Sequence, residues 1–223
     1  MHVLVTGGSG FIGSHLIERL TELGHSVVVF DSRKPAHKDV AFVSGDIRDR
    51  DSVFRAISGV DVVFHLAAIA DARSTNDDLL YETNFIGSKN VFEAASSVGA
   101  KVVFASTCAV YGNGDIPARE ESPCKPASQY GKSKLRAEKI VPEGSFIARL
   151  FNVYGPNSRS VVTEFCKKAP EYEDVIVFGT GNRTRDYIYI DDVIDALILG
   201  VEHDGIYNVG TDKEHTAMNI LDI

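Results

Sequence analysis

Apolar positions in the first hundred residues fall into short unbroken runs, separated by longer stretches with helical spacing. The runs are His2–Thr6, Ser26–Phe30, Val40–Val43, Asp61–Leu66 and Lys101–Ser106. They are rich in Val and Phe and do not alternate with polar residues, the pattern of parallel strands covered on both faces. Between them Phe11–Leu23, Asp49–Ile57 and Asp78–Val98 read as helices. In the last of these, Leu79, Leu80, Thr83, Ile86, Asn90 and Val91 keep helical register, and Phe92, Ala95 and Val98 widen the stripe that packs on the sheet. Strand and helix in strict alternation imply right-handed crossovers, so the expected fold is α/β with a doubly wound parallel sheet.

The texture changes after residue 106. Gly112, Gly114, Pro117, Pro123 and Pro126 mark a long loop over 107–127, at the carboxyl end of the fifth strand. Ligands of open α/β sheets bind at such strand ends. A helix over Ser128–Ile140 and a strand over Ser145–Leu150 follow. Beyond Gly155-Pro156 come a short helix, a strand at Val175–Phe178, a helix at Asp191–Val201, a strand at Ile206–Val209 and a new helix from near Thr216. Residues 1–155 therefore read as one α/β domain. Residues 156–223 read as a mixed segment, partly a small and incomplete carboxy-terminal lobe and partly a return to the sheet.

Composition narrows the classes without choosing among them. The 223 residues are 44% hydrophobic and 24% charged, which excludes a disordered tail, a fibrous repeat and a disulfide miniprotein. Lys plus Arg is 23 and Asp plus Glu is 31, a net charge of 23 − 31 = −8. With no basic cluster, nucleic acid is not an expected partner. Cys108, Cys124 and Cys166 show no CxxC and no paired His, so they read as reduced thiols of a cytoplasmic protein, and no metal site is expected. Met1–Val5 is too short for a signal core, and no apolar run approaches the ~20 residues of a membrane span.

The most informative stretch is Val3-Leu4-Val5-Thr6-Gly7-Gly8-Ser9-Gly10-Phe11-Ile12-Gly13. It follows a strand and opens a helix, and its glycines fit both GxGxxG and the wider GxxGxxG spacing. Glycines there allow positive φ, let backbone approach a pyrophosphate and let helix pack closely on strand. The helix start then offers unpaired N–H groups to phosphate oxygens. Asp31 lies 18 residues past Gly13, just after the second strand, where a carboxylate accepts from ribose hydroxyls and repels a 2′-phosphate. That favours NAD over NADP. Arg33 and Lys34 either offset this repulsion or are solvated loop charges. Asp46 after the third strand either reaches an adenine amino group or belongs to the helix start crowded by Asp49 and Asp51.

Tyr130 and Lys134 stand one helical turn apart on one face. A cation beside a phenol lowers its pKa, which a tyrosine base near neutral pH requires. Thr107 lies just past the fifth strand, either orienting a substrate oxygen for Tyr130 or capping a local turn.

These residues together resemble the extended short-chain dehydrogenase/reductase family, in its NAD-dependent sugar-nucleotide epimerase/dehydratase branch. The resemblance runs through TGGSGFIGSHL (6–16), VVVFD (27–31), GDIRD (45–49), DVVFHLAA (61–68), NFIGSKN (84–90), VVFASTCAVYG (102–112), PASQYGKSK (126–134), ARLFNVYGP (148–156), GNRTRDYIYIDDVIDA (181–196) and YNVG (207–210). It implies a Rossmann domain with a smaller carboxy-terminal substrate lobe, bound NAD and a nucleotide-sugar substrate. It also implies a catalytic set of Thr107, Tyr130 and Lys134. Gly7, Gly10, Phe11, Ile12, Gly13, Asp31, Asp46, Ile47, Leu66, Ala67, Ala68 and Asn84 would line the cofactor with Tyr130 and Lys134, Asn84 in a structural or cofactor-adjacent place. Asn152 and Arg185 would face the nucleotide-sugar with Thr107. Arg185 would lie toward the diphosphate, where a guanidinium binds oxygens in pairs; read from the residues alone, it equally pairs with Asp186 or Asp191.

Dehydratases of the branch carry Asp-Glu immediately after the catalytic Thr, and decarboxylases keep a Glu nearby. Here those positions are Cys108 and Ala109. By subtraction the resemblance points to 4-epimerisation of the UDP-glucose/UDP-galactose type, an isomerase reaction. The alternatives are a nucleotide-sugar reductase or dehydrogenase with net NAD(P)H turnover, and a non-catalytic NAD-binding protein. In the family the Asp78–Val98 and Tyr130 helices often build a dimer interface, so a homodimer is expected.

Overall fold

The computed structural model describes residues 1–70, 76–114, 116–168, 177 and 179–221. Seven strands form one parallel sheet: β1 (His2–Thr6), β2 (Ser26–Asp31), β3 (Ala41–Ser44), β4 (Val62–His65), β5 (Lys101–Thr107), β6 (Phe146–Leu150) and β9 (Gly205–Val209). Their order across the sheet is β3-β2-β1-β4-β5-β6-β9. The chain winds outward from β1 in one direction and from β4 in the other, so a crevice opens between the carboxyl ends of β1 and β4. This is the doubly wound α/β sheet expected from the sequence.

Side-chain alternation sorts the core into two layers. Val3 and Val5 of β1, Val62 and Phe64 of β4, and Val103 and Ala105 of β5 point to one face. There they meet Leu16, Ile17 and Leu20 of α1 (Phe11–Glu22) and Val193, Ile194 and Leu197 of α7 (Ile190–Leu199). Leu4, Val63, Val102 and Phe104 point to the other face. That face is covered by α2 (Arg50–Ala56), α4 (Ser88–Val98) and α5 (Gln129–Glu138). Apolar residues on both parities explain why these strands read as continuous runs.

The helix expected over Asp78–Val98 is not uniform. It begins as α3 (Asp77–Leu80), widens into a π-helical stretch over Tyr81–Gly87 and continues as α4. The wider turn brings Asn84 into the interior, and Gly87 meets Ile47 so closely that an added Cβ would lie 2.6 Å from its side chain.

A second sheet, unannounced by periodicity, consists of β7 (Asn152–Tyr154), β8 (Thr184–Tyr189) and β10 (Glu214–Thr216) in the order β10-β8-β7. These strands are short and mostly exposed, so their sequences lack a long apolar signature. α6 (Val161–Lys168) and α8 (Ala217–Leu221) complete the described elements. The strand expected at Val175–Phe178 lies outside the described residues except for Val177.

At the edge opposite the crevice, the Lys101 ammonium donates to the carbonyls of Gly144 and His203, both at 2.7 Å, and to Asp204. It clips β9 onto the amino ends of β5 and β6. Lys101→Met is expected to cost about 1–3 kcal/mol in urea unfolding, since it removes charge-assisted bonds and adds no core contact. NAD affinity should not change, because the clip lies at the far end of the strands.

Candidate active site

The glycine loop is built for close backbone approach. Gly7 has φ +74°, and a Cβ there would lie 2.6 Å from the Ala67 nitrogen; one at Gly13 would lie 2.4 Å from the Gly7 carbonyl oxygen. Gly10 is the N-cap of α1 and offers no side-chain cap, which leaves first-turn N–H groups facing the crevice. A groove of about 300 Å³ runs from there across the strand ends, lined by Gly7, Gly10, Asp31, Asp46, Ile47, Leu66, Ala67 and Ala68. Phe11 and Ile12 sit half-buried in the first turn of α1, and Gly13 is buried beneath it.

Asp31 does more than face the groove. Its carboxylate accepts from the Ser9 N–H at 3.0 Å and from the Arg33 N–H at 2.9 Å, tying the glycine loop to the end of β2. Asp46 is held by Arg48, whose guanidinium donates at 2.5 and 3.0 Å and whose N–H donates at 2.9 Å. These bonds keep the Asp46 carboxyl below the usual carboxylate range. The cap of α2 is Asp49 instead, which accepts from the Ser52 N–H at 3.2 Å.

Asn84 takes a structural place. It is fully buried, accepts from the Ile69 N–H at 2.8 Å, and donates to the Ile69 carbonyl at 3.1 Å and to Ser133 Oγ at 3.0 Å. With both amide hydrogens used inside the protein, it pins the segment after β4 to α5.

At the end of β5, Thr107 Oγ1 accepts from the Ala109 N–H at 3.2 Å, capping the short 3-10 turn Cys108–Val110. The same hydroxyl faces the Tyr130 phenol, near enough to favour its ionised form. Burial pushes the Tyr130 phenol up to about 12, and Thr107 offsets part of the rise. The expected lowering by Lys134 is not what the packing produces. Lys134 is 2% exposed, its Nζ lies 4.1 Å from the centre of the Phe104 ring, and burial draws its own pKa down to about 7. Glu138, one turn further along α5, opposes that drop.

Beneath this ammonium lies His65, buried between hydrogen-bond partners. Its Nδ1 is 2.7 Å from Thr6 Oγ1 and its Nε2 is 2.8 Å from Ser88 Oγ. Ser88 donates to the Asn84 carbonyl, so it accepts from His65 Nε2–H, and Nδ1 accepts from Thr6. Burial, reinforced by Lys134, holds this imidazole well below 6.5 and therefore neutral.

The sequence reading missed a buried network around Glu138 and Arg149. The Arg149 guanidinium donates to Glu138 at 2.8 to 3.3 Å, to the Tyr111 hydroxyl at 2.9 Å and to the Glu120 carbonyl at 2.9 Å. Tyr111 in turn donates to Asn208 at 2.6 Å, and Ser106 donates to Glu138. The network holds the long loop after β5 against the sheet. Its one sequence signal was an acidic residue four positions past Lys134.

The small sheet brings the remaining expected residues to the crevice mouth. Asn152 donates to the Asp186 carbonyl at 2.9 Å. The Asp186 carboxylate is occupied by the Thr211 N–H, the Thr211 hydroxyl and the Asp212 N–H at 2.7 to 3.0 Å. Arg185 is exposed, donates to the Thr184 carbonyl at 2.8 Å, and makes no ion pair within 4.0 Å among the described residues, so the Asp186 and Asp191 pairings are not formed. Its charge nevertheless reaches the half-buried Cys108 thiol, which burial raises and Arg185 partly lowers. Arg185 therefore lies near Thr107.

The fit to a dinucleotide rests on two observations. A Cβ at Gly7 or Gly13 would collide with the backbone of Ala67 or of the loop itself, so only glycine gives the loop this close-packed shape beside the groove. The Lys134 Nζ has no hydrogen-bond acceptor among the described residues, its partner being an aromatic face. Gly7, Gly10 and the start of α1 would hold the pyrophosphate, Asp31 the adenosine ribose, and Lys134 the second ribose. No group of three or more metal-ligating side chains occurs among the described residues, and no helix there is long and apolar enough to cross a membrane.

Burying Lys134 has a stability consequence. An unfolded lysine titrates near 10.4 and the folded one near 7, so between those values the unfolded state binds more protons and stability rises with pH. Below pH 7 the full penalty applies. Lys134→Met is expected to raise the Tm of the ligand-free protein by a few °C at pH 6, roughly 2–4 °C per kcal/mol relieved, and to weaken NAD binding. An unchanged or lowered Tm counts against the burial argument.

The site was compared with known proteins. The chain is 34% identical over 99% of its length to a putative UDP-glucose 4-epimerase of Methanocaldococcus jannaschii, of which it spans 80%. It is 32% identical over 97% of its length to a UDP-N-acetyl-alpha-D-glucosaminuronate decarboxylase of Bacillus cytotoxicus, of which it spans 77%. Its fold superposes with a TM-score of 0.93 at 32% identity on the UDP-glucose 4-epimerase of Thermotoga maritima solved with UDP-glucose, over the whole chain and 81% of that structure. MoeE5 in complex with UDP-glucuronic acid and NAD gives a TM-score of 0.91 at 29% identity. Decarboxylases and epimerases are equally near, so the subtraction made at Cys108 and Ala109 does not by itself isolate epimerisation. Residues 3–210 match the profile of the NAD dependent epimerase/dehydratase family, and the chain, an NAD-dependent α/β enzyme by fold and site, belongs to that family.

Proposed function

We propose that this protein is a nucleotide-sugar 4-epimerase of the UDP-glucose/UDP-galactose type. The observation that carries the reading is the placing of Thr107 beside Tyr130 at the crevice, with Lys134 one turn away and no acid at positions 108 and 109. NAD, when bound, supplies the hydride acceptor and donor. Tyr130 takes the proton of the sugar 4-hydroxyl and later returns it, while Thr107 orients the same oxygen. A phenol near 12 is protonated at neutral pH, so it acts as a base only when a cation favours the phenolate. Lys134 provides that cation while holding the nicotinamide ribose. Arg185 anchors the diphosphate, Asn152 faces the nucleotide-sugar beside it, and the transient 4-ketosugar turns about that anchor to present its other face.

A second reading is favoured by the relatives. Loss of carbon dioxide from a nucleotide-linked uronic acid uses the same oxidation at C4, and the Bacillus cytotoxicus relative is named for such chemistry. A net sugar dehydrogenase, using the same three residues, is the third.

We read the outer faces of the helical run Asp77–Val98 and of α5 with the turn after it, where Tyr81, Val98 and Ile140 are exposed, as a homodimer surface, and light scattering measures the mass. Residues 1–155 are read as the NAD domain, with 156–223 divided between the lobe and the sheet. The protein is read as cytoplasmic.

Incubation with UDP- and GDP-sugars, followed by chromatography, separates the readings. Epimerisation yields a stereoisomer without net NADH, decarboxylation yields a pentose with carbon dioxide, and a dehydrogenase yields stoichiometric NADH. Tyr130→Phe should lower turnover by about 10²–10⁴-fold with the fold and NAD binding intact. Near-normal turnover in that variant refutes the assignment of Tyr130.

A further inference from the structure

The reacting groups stand on β5 and α5, and one buried carboxylate of α5 reaches both β5 and the neighbouring β6. Ser106, the residue before Thr107 on β5, donates to Glu138. Glu138 itself ends α5, one turn past Lys134 and two past Tyr130. From β6, Arg149 Nη2 meets it at 2.8 Å, both side chains being 4% exposed. The second arm of Arg149 runs on to Tyr111 and the Glu120 carbonyl, in the loop that begins at Thr107. Among the described residues no other carboxylate is so completely enclosed. Replacing such an ion pair by apolar residues is often neutral or stabilising, so stability alone is a weak reason for it.

We propose that Glu138 is a positioning residue of this active site: bonded to Ser106, its carboxylate holds the end of β5 that carries Thr107 against Tyr130 and Lys134 on α5, and it sets a negative charge one helical turn from Lys134. This rests on the reading of Thr107, Tyr130 and Lys134 as the catalytic set. The groups facing Lys134 are Glu138 on its own helix, the Phe104 ring of β5, neutral His65 of β4 and, through Glu138, Arg149 of β6. Only Glu138 among them is negative. Without it, the ammonium would face an aromatic ring, a neutral imidazole and a guanidinium of like charge, in a medium where Coulomb terms are weakly screened.

The two halves of the proposal, geometry and charge, separate by mutation. Ser106→Ala removes the strut to β5 and keeps the charge. Glu138→Gln removes the charge at constant size, and Glu138→Asp restores the charge on a shorter stem. Lys134 titration is read by mass spectrometry from the pH dependence of its acetylation in the intact NAD-free protein, a measurement that needs no substrate. Glu138→Gln should titrate roughly one pH unit lower than the parent, and Ser106→Ala unchanged. Glu138→Asp should recover most of the parent value.

Where the sugar panel gives turnover, Ser106→Ala should lower kcat about 10-fold at near-constant KM, as misplacement of a reacting group does. Its pH profile should keep its position, whereas that of Glu138→Gln should move with Lys134. If Glu138→Gln does not fold, the Glu138→Asp titration carries the charge test, and a Lys134 there that titrates above the parent overturns the charge half. A folded Glu138→Gln whose Lys134 titrates as in the parent overturns it likewise. An unchanged kcat in Ser106→Ala overturns the geometric half. Failure of the whole sugar panel would count against the proposed function, while the Lys134 shifts would still test the placement of charge.

Discussion

An ammonium group driven almost wholly out of water is the constraint around which this site is arranged. Lys134 is 2% exposed and lies on an aromatic face, and an isolated charge in such surroundings is unfavourable by several kcal/mol. Its neighbours follow from that fact. His65 stays neutral because a second buried cation would add repulsion to desolvation, and its two hydrogen bonds fix the neutral tautomer. Glu138 supplies the nearest compensating charge, and Arg149 keeps Glu138 from being an uncompensated anion. Tyr130, half-buried at the crevice, holds its proton more tightly than a free phenol.

The sheet explains why the expensive groups gather at one place. Strands β1 and β4 lie side by side with their connections departing in opposite directions, so only there do the strand ends stay uncovered. Gly7 and Ala67 approach across that switch point within the distance that forbids a side chain. On the β5 side, residue parity does the sorting: Phe104 and Ser106 face α5, and Thr107 caps the turn at the strand's end. One strand thereby supplies the ring under Lys134, the hydroxyl for Glu138 and the hydroxyl for Tyr130.

Chemistry at this crevice is narrowed by what stands beside Thr107. Cys108, its thiol raised by burial, and Ala109 offer no acid–base pair for removing water from a sugar. The same oxidation at a carbinol carbon serves epimerases and decarboxylases alike, which is why relatives of both kinds lie equally near in sequence. Beside the crevice, Arg185 and Asn152 stand on a small sheet of short strands.

Local sequence determined the features that depend on local physics. Strands buried on both faces must be apolar at every position, so β1, β4 and β5 were legible as runs, and a glycine cradle needs glycine at fixed spacing whatever surrounds it. The pairing of Tyr130 with Lys134 was legible because helical period is a local property. Tertiary structure alone decided what those groups became. The π-helical turn placed Asn84 inside, and the phenol was raised rather than lowered because desolvation is set by packing that no spacing encodes. The short strands β7, β8 and β10 were invisible, since three to six half-exposed residues carry no periodic signal. Glu138 and Arg149, 11 residues apart with a chain reversal between them, become partners only when α5 lies down on β6.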